Sequence, residues 1–109
     1  MSYILMLTTT PNLELANSIS NELIEKKLAA CISINKITSI YHWEGKTENS
    51  DEFELKIKTK LKNFKKIKKL IISLHTYDVP EILAIPILKG SKKYLKFIDK
   101  NTKGQNQCL

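Results

Sequence analysis

A chain of 109 residues can bury one hydrophobic core but not two, which excludes a multidomain protein. Hydrophobic residues make up 42% and charged residues 27% of the chain, a balance that excludes a disordered or fibrous protein. The net charge of +7 would suit a nucleic-acid partner, but every cation is a lysine, and arginine is the residue that makes bidentate contacts to phosphates and bases. A solvated lysine surface is the simpler interpretation.

The sequence predicts neither a membrane span nor export. The longest apolar run near the start, residues 3–7, is too short to cross a bilayer, and no basic segment precedes it as in a signal peptide. Cys31 lies in an apolar run and Cys108 near the end of the chain, so the cysteines predict neither a disulfide framework nor a zinc motif. We therefore expect a cytoplasmic protein.

The first predicted elements are a buried strand over residues 2–7 and a helix that ends near residues 26–27. Thr10 is a good N-cap for this helix and Pro11 suits its first position. From residue 28 to Trp43 the apolar residues alternate, which predicts an unusually long strand. The alternation changes phase at residues 35–36, which predicts a bulge or bend there.

Turn-forming residues over 44–51 connect this strand to a second one over 53–58, so the two runs predict a hairpin. A helical pattern follows over residues 61–74. Residues 82–88 read as a strand, and Pro86 within it predicts an edge position or a bulge because proline cannot donate to a ladder.

Gly90 ends this strand, and Ser91 is the predicted cap of a short helix. The order of elements predicts an α+β protein of the ferredoxin-like plan, βαββαβ plus a C-terminal helix, with both main helices on one face of an antiparallel sheet. We expect one domain over residues 1–102 and a flexible tail over residues 103–109.

The hairpin is too long for a compact domain. Strands of about 14 residues would run about 45 Å, whereas a domain of this size has a radius of gyration near 13 Å, hence a diameter of about 35 Å. Its projecting part would expose Ile37, Ile40, Tyr41 and Trp43 to water unless another subunit covered them. The sequence therefore predicts a homo-oligomer.

Short motifs occur in a fixed order along the chain: Leu28-Ala29-Ala30-Cys31, Tyr41-His42-Trp43-Glu44-Gly45-Lys46, Glu52 with Ile57-Lys58-Thr59, His75-Thr76-Tyr77-Asp78-Val79-Pro80-Glu81, Pro86, Gly90 and Tyr94-Leu95. Together, over about residues 3–98, they resemble the CutA divalent-cation tolerance proteins. The resemblance implies a ferredoxin-like subunit in a homotrimer similar to PII signalling proteins. It also implies a cytoplasmic role in tolerance of divalent metals, copper among them, without an established enzymatic reaction.

His75 is the candidate metal ligand. Imidazole suits Cu²⁺ or Zn²⁺, and Asp78 and Glu81 are close enough in sequence to supply oxygen ligands. His42 is predicted on the hairpin, so a site with both histidines would have to be assembled from distant segments or across subunits. The alternative is a surface or capping histidine.

The resemblance also groups residues into an intersubunit cleft that binds a small polar ligand: Cys31, Trp43, Glu52, Lys58, Tyr77 and Glu81, beside His75. Other interpretations remain open: Tyr77 as an anchor of its loop, Lys58 and Glu52 as an ion pair, and Cys31 as a small core residue. The sequence holds no nucleophile elbow, metal-hydrolase motif or phosphate loop, so we predict no catalytic residues and no enzyme.

A basic ferredoxin-like module that binds nucleic acid is the alternative function. Such a module would display aromatic residues on the open face of its sheet for base stacking, and the strand residues Tyr3, Tyr41, Trp43 and Phe53 are the candidates. Hydrophobic assembly accounts for the same residues. No downstream partner can be predicted from the sequence.

Overall fold

The computed structural model of the chain describes residues 2–103. Met1 and most of the predicted tail lie outside the described residues, so the predicted domain boundaries stay a prediction. The elements in chain order are β1 (Tyr3–Thr10), α1 (Leu13–Glu25), β2 (Cys31–Trp43), β3 (Lys46–Lys60), a short 3-10 helix (Leu61–Asn63), α2 (Phe64–Leu74), β4 (Leu83–Pro86) and α3 (Lys92–Asn101).

The four strands form one sheet in the order β2-β3-β1-β4, and every pairing between neighbours is antiparallel. This confirms the predicted α+β class and the ferredoxin-like order of elements. The short strand β4 is an edge strand, as Pro86 predicted. No helix within residues 2–103 is long and apolar enough to cross a membrane.

The hydrophobic core lies between one face of the sheet and the helices. Register places Met6, Ile57 and Ile32 side by side on this face, where they join the apolar stripes of α1 and α2 in one cluster. The opposite face, which we call the open face, carries the other residues of each strand. At one end of the open face α3 packs on β3, where the buried Lys60 Nζ lies 3.0 Å from Asp99 Oδ1.

The prediction for the start of α1 was wrong by two residues. The N-cap is Asn12, whose side chain accepts a hydrogen bond of 2.7 Å from the backbone N–H of Leu15. Thr10 is instead the last residue of β1, and its hydroxyl donates to the Asn12 carbonyl over 2.7 Å. The threonine therefore stabilises the connection rather than the helix itself.

The hairpin is more regular than predicted. Pairing between β2 and β3 runs without interruption from Cys31–Lys58 to Trp43–Lys46, so the predicted bulge at residues 35–36 is absent. The predicted turn over 44–51 is also wrong. The turn consists of Glu44 and Gly45, both with positive φ (50° and 78°), the geometry of a type I′ turn, which matches the twist of a hairpin.

Part of the hairpin extends beyond the rest of the sheet. The last pair between β1 and β3 is Thr10 with Phe53, so residues 37–52, which we call the ribbon, are paired only with each other. The structure measures 48 × 28 × 20 Å, which confirms the prediction that the hairpin projects. On the ribbon, Ile40 is 69% exposed and Trp43 is 41% exposed.

Candidate functional site: an acidic and aromatic cleft

An open cleft of about 780 Å³ lies between the ribbon and the loop that joins α2 to β4, residues 75–82. The cleft combines carboxylates, aromatic rings and small polar residues. Its lining consists of Thr9, Ser39, Ile40, Tyr41, His42, Trp43, Glu52, Thr76, Tyr77, Asp78, Val79 and Glu81. Of the predicted cleft residues, the structure thus brings together Trp43, Glu52, Tyr77 and Glu81.

His75 fixes the start of the 75–82 loop against β1. Its Nε2 lies 2.7 Å from the carbonyl oxygen of Thr9, and its Nδ1 accepts a hydrogen bond of 3.1 Å from the backbone N–H of Tyr77. A carbonyl oxygen can only accept, so Nε2 carries the proton and the ring is in its Nε2–H tautomer. Both ring nitrogens are therefore engaged within the chain, and the imidazole lies 4.7 Å from the ring of Tyr77, centroid to centroid.

Glu52 is the buried acid of the cleft. It is only 6% exposed, and its Oε2 accepts a hydrogen bond of 2.8 Å from the hydroxyl of Tyr77. Burial, followed by the hydrogen bond to Glu52 and its negative charge, raises the pKa of the Tyr77 hydroxyl far above its ordinary value. Tyr77 is thus held as a neutral donor that orients the carboxylate.

Glu81 is a second acid whose surroundings disfavour its charge. Burial, followed by the negative charges of Glu54 and Glu52, raises the pKa of its carboxyl above the ordinary value. Glu54 has a lysine partner, since Lys56 Nζ lies 3.6 Å from its Oε1. No such ion pair reaches Glu52 or Glu81 from any of residues 2–103.

The ribbon supplies the aromatic side of the cleft. Tyr41 and Trp43 alternate along β2 and are 40% and 41% exposed. The Tyr41 hydroxyl is hydrogen-bonded to Ser50 Oγ across the ribbon at 2.9 Å, which fixes the ring on the strand pair. Sequence analysis treated Tyr41 only as an assembly or stacking residue; its position two residues before Trp43 was the signal that both share one face.

The remaining predicted cleft residues, Cys31 and Lys58, lie elsewhere on the open face. Lys58 Nζ donates to Ser33 Oγ over 2.7 Å and lies 4.0 Å from Cys31 Sγ. Cys31 is half-buried and outside the hydrophobic core, so its interpretation as a small core residue was wrong. Burial, followed by the neighbouring Cys31, raises the pKa of the Tyr94 hydroxyl on α3, a neighbour that the sequence analysis missed.

Register gives the distance between the two groups of predicted site residues. Cys31 pairs with Lys58 and Ile37 pairs with Glu52, six positions further along the same ladder, which corresponds to about 20 Å. Lys58 and Glu52 therefore form no ion pair with each other, and that alternative was wrong. Within one chain the predicted site is spread along the ladder: the lysine–cysteine end lies on one side of Glu52, and Trp43, which pairs with Lys46, lies six positions away on the other side.

The potential metal ligands of the chain are distributed over several elements. No group of three or more histidine, cysteine, aspartate or glutamate side chains with the arrangement of a metal site occurs within residues 2–103. His42 and the predicted oxygen donors Asp78 and Glu81 do line the same cleft, beside the His75–Tyr77 contact. The assignment of a metal to His75 stays a prediction.

The aromatic residues proposed for base stacking do not form a platform. Phe53 pairs with Thr10 on the helix-covered face, and Tyr3 pairs with Lys60 at the end of the sheet remote from the ribbon. Tyr41 pairs with Glu48, twelve positions along β3 from Lys60, a separation of about 40 Å. The arrangement does not favour the nucleic-acid alternative.

The elements define an α+β protein of the ferredoxin-like plan, with an open antiparallel sheet, a projecting ribbon and a cleft along the ribbon. The family model of the CutA1 divalent ion tolerance protein matches residues 4–101. This chain therefore belongs to the CutA1 divalent ion tolerance protein family, as the sequence motifs predicted.

Individual relatives agree over nearly the whole chain. The divalent-cation tolerance protein CutA of Thermus thermophilus is 42% identical over 98 residues, which cover 89% of this chain and 95% of that protein. Its counterpart in Archaeoglobus fulgidus is 44% identical over 92 residues, covering 84% and 90%. A solved structure of the Archaeoglobus fulgidus protein, named as periplasmic, has a TM-score of 0.90 at 40% identity and covers 92% of this chain and 98% of that one.

Proposed function

We propose that this protein acts in the tolerance of divalent cations as a cytoplasmic, PII-like homotrimer without a catalytic reaction. Its intersubunit clefts bind copper, another divalent cation or a small ligand. The observation that carries the proposal is the cleft along the ribbon, lined by the buried Glu52, Tyr77 and Glu81, in a chain of this family.

Exposed apolar residues support the homotrimer. On the ribbon Ile40, Tyr41 and Trp43 are 40% to 69% exposed, and on β4 Leu83 and Ile85 are 52% and 44% exposed. A projecting ribbon that carries such residues needs a covering surface, because monomeric proteins rarely expose large apolar patches. A second copy of the chain provides that surface in a closed ring.

The division of the predicted site supports an intersubunit location. The acidic end holds Glu52 and Glu81, and the lysine–cysteine end holds Lys58 and Cys31 about 20 Å away. In a cyclic trimer the two surfaces of an interface are different patches of the same chain. One subunit's lysine–cysteine end would then complete the acidic end of its neighbour.

For metal binding, the tautomer of His75 leaves one ring nitrogen, Nδ1, as the possible ligand. Its Nε2–H donates to the Thr9 carbonyl, which is a usual way to orient a metal-binding imidazole. The metal would therefore bind Nδ1 after the backbone N–H of Tyr77 releases that nitrogen. Asp78 and Glu81 would supply oxygen ligands in the same cleft.

Isothermal titration calorimetry with Cu²⁺ and Zn²⁺ tests this assignment. We expect His75→Ala to weaken binding by about tenfold or more, whereas His42→Ala, which removes the other histidine of the chain, serves as the matched control. Equal affinity and stoichiometry in the wild type and His75→Ala would reject His75 as the ligand. Native mass spectrometry of the same samples reports whether three chains and a metal are retained together.

A further inference from the structure

We propose that one exposed face of α2 binds the anionic surface of a membrane, as a peripheral contact and not as a span. This face, which we call the lysine face, consists of Lys65, Lys66, Lys68, Lys69 and Ile72, all of them exposed. The inference goes beyond the proposed function. It does not involve the cleft, and it holds or fails independently of metal binding.

The position of the lysine face leaves it accessible in the proposed trimer. The opposite side of α2 carries Ile67 and Ile71, which are fully buried in the core between the helices and the sheet. The lysine face therefore points away from the sheet. The ribbon and β4, whose exposed apolar residues support assembly, belong to the sheet, so a neighbouring copy bound there leaves the lysine face in contact with water.

The lysine face concentrates positive charge without compensation. The whole of α2, residues 64–74, contains four lysines and no acidic residue. Within residues 2–103 no carboxylate lies within 4.0 Å of these four ammonium groups, and this includes the acidic residues of the adjacent α1. Elsewhere Lys26, Lys56 and Lys60 each have such a partner. Four charges on a helix of three turns thus form a patch that attracts an extended anionic surface.

An apolar side chain lies among these lysines. Four residues at the spacing i, i+3, i+4 and i+7, which shares one helix face, line a surface groove of about 350 Å³: Lys65, Lys68, Lys69 and Ile72. Ile72 is 52% exposed, and so is Leu61 in the 3-10 helix just before α2. The stems of the lysines are apolar as well, and only their ammonium groups need water. Such a mixture suits the boundary between lipid headgroups and acyl chains.

The residue types favour a lipid surface over other polyanions. Nucleic-acid sites use arginine for bidentate contacts and aromatic rings for stacking, whereas the chain has no arginine and no exposed residue of α2 is aromatic. Interfaces with other proteins are depleted in lysine. An anionic leaflet attracts lysines as simple charges and accepts apolar side chains between its headgroups. Such lipids face the cytoplasm, which agrees with the proposed location.

Co-sedimentation of the full-length protein in its native assembly with vesicles tests the proposal. Vesicles of phosphatidylcholine alone are compared with vesicles that contain about 30% phosphatidylserine. A chelator is present, so that divalent cations do not bridge protein and lipid. We expect saturable binding to the anionic vesicles and none to the neutral ones. Raising the salt from about 50 mM to about 300 mM should weaken binding by about tenfold or more, because the charges are screened.

A triple variant removes charge from the lysine face. It combines Lys65→Gln, Lys68→Gln and Lys69→Gln, all at exposed positions, so it should fold and assemble like the wild type. Each lysine near an anionic surface changes the partition coefficient by about fivefold, which gives about a hundredfold for the three. Circular dichroism and light scattering check fold and subunit number. Anionic-vesicle binding that stays at the wild-type level would overturn the proposal.

Two controls separate the lysine face from net charge. Lys92→Gln, Lys93→Gln and Lys96→Gln together remove the same charge from exposed positions of α3, and this variant should keep most of the binding. Exchange of the three lysines of α2 for arginine keeps their charge and should keep the binding as well. An equal loss in the two glutamine variants would mean that net charge alone drives the association, and the proposal would then be wrong.

The apolar contribution separates a membrane from a nucleic acid. Ile72→Ala should weaken binding to the anionic vesicles by about threefold or more, because less apolar surface enters the headgroup region. Release of the protein from the vesicles by single-stranded RNA at an equal concentration of anionic groups would identify a nucleic-acid site and overturn the proposal. So would the absence of vesicle binding. Metal affinity and subunit number are measured separately, so this inference and the proposed function can fail independently.

Discussion

At the scale of single residues, two carboxyl groups of the cleft lie in surroundings that disfavour negative charge. Glu52 is buried with one neutral donor, and Glu81 lies near both Glu52 and Glu54. Residues that bind ligands are often held in such unfavourable surroundings, because a ligand compensates them. The free protein should therefore gain stability when the charge at Glu81 is removed.

We predict that Glu81→Gln raises the free energy of unfolding at neutral pH by up to about 1 kcal/mol, a small value because the side chain is solvent-screened. The pKa of Glu81 is raised in the folded state, so its favourable contribution exists below the unfolded pKa and is lost as pH rises through the folded pKa. The difference between variant and wild type should thus vanish below about pH 4. Denaturant titrations at neutral and acidic pH, at one protein concentration, measure it; a larger difference in acid would contradict the assignment.

Two threonines of β1 form a matched pair for a second residue-scale prediction. Thr8 is fully buried and its hydroxyl has no partner among the described residues, whereas the buried Thr10 hydroxyl donates to Asn12. An unsatisfied buried hydroxyl costs about 1–3 kcal/mol. We expect Thr8→Val to stabilise the protein by about this amount.

Thr10→Val is the control for this change, since it replaces a hydroxyl that has a hydrogen-bond partner by a methyl group of similar size. It should lower the free energy of unfolding by about 1 kcal/mol. Thermal unfolding followed by circular dichroism compares the two variants. If the melting temperatures of both variants shift in the same direction, the Thr8 hydroxyl is not a buried group without a hydrogen-bond partner.

At the scale of elements, the hairpin explains why a bulge was predicted. The apolar residues Ile32 and Ile34 face the helices, whereas Ile37, Tyr41 and Trp43 belong to the opposite face of the same uninterrupted strand. The phase of the alternation changes because a different face of β2 is apolar on the ribbon. The hydrophobic core under the helices ends where β1 ends, and the cleft begins there. Register, rather than an extra residue, accounts for the pattern.

The turn of the hairpin gives a prediction at this scale. A Cβ added at Gly45 would meet no atom within 4 Å, so the cost of Gly45→Ala is purely that of its backbone, with φ of 78°. That cost is about 1–2 kcal/mol for an L-residue. Glu44→Asn should instead be neutral or stabilising, because asparagine tolerates positive φ. Chemical denaturation of both variants measures the difference; an unchanged Gly45→Ala would argue against a type I′ turn.

At the scale of the whole molecule, the ribbon is the part of the fold whose apolar residues stay exposed in a single chain. Its outer residues have no neighbours from β1, and the longest dimension reaches 48 Å. The same ribbon lines the cleft. Assembly and ligand binding are therefore expected to be coupled, because both depend on the position of the ribbon relative to the 75–82 loop.

We predict that Trp43→Ala weakens self-association by about 2 kcal/mol or more, the cost of removing an aromatic anchor from an interface. Light scattering over a dilution series should show the variant dissociating toward 12.5 kDa at concentrations where the wild type keeps three times that mass. Ile72→Ala, which removes a 52% exposed apolar side chain from α2, is the control. An unchanged mass for Trp43→Ala at every dilution would contradict a role of Trp43 in assembly.

The sequence by itself determined the elements, their order and the excess length of the hairpin, because these depend on local alternation, capping residues and chain dimensions. It also pointed to Trp43, Glu52, Tyr77 and Glu81, which the structure places in one cleft. Only the tertiary structure decided that Cys31 and Lys58 lie apart from them and that the nitrogens of His75 are engaged.

The physical reason is that alternation fixes the face of a residue but not its neighbours. Tyr77 reaches Glu52 from 25 positions along the chain, and His75 reaches Thr9 from 66. Those contacts depend on where the backbone returns after α2, which is set by the packing of that helix on the core. The composition of the cleft, and with it the charge that a ligand meets, is therefore a property of the folded chain.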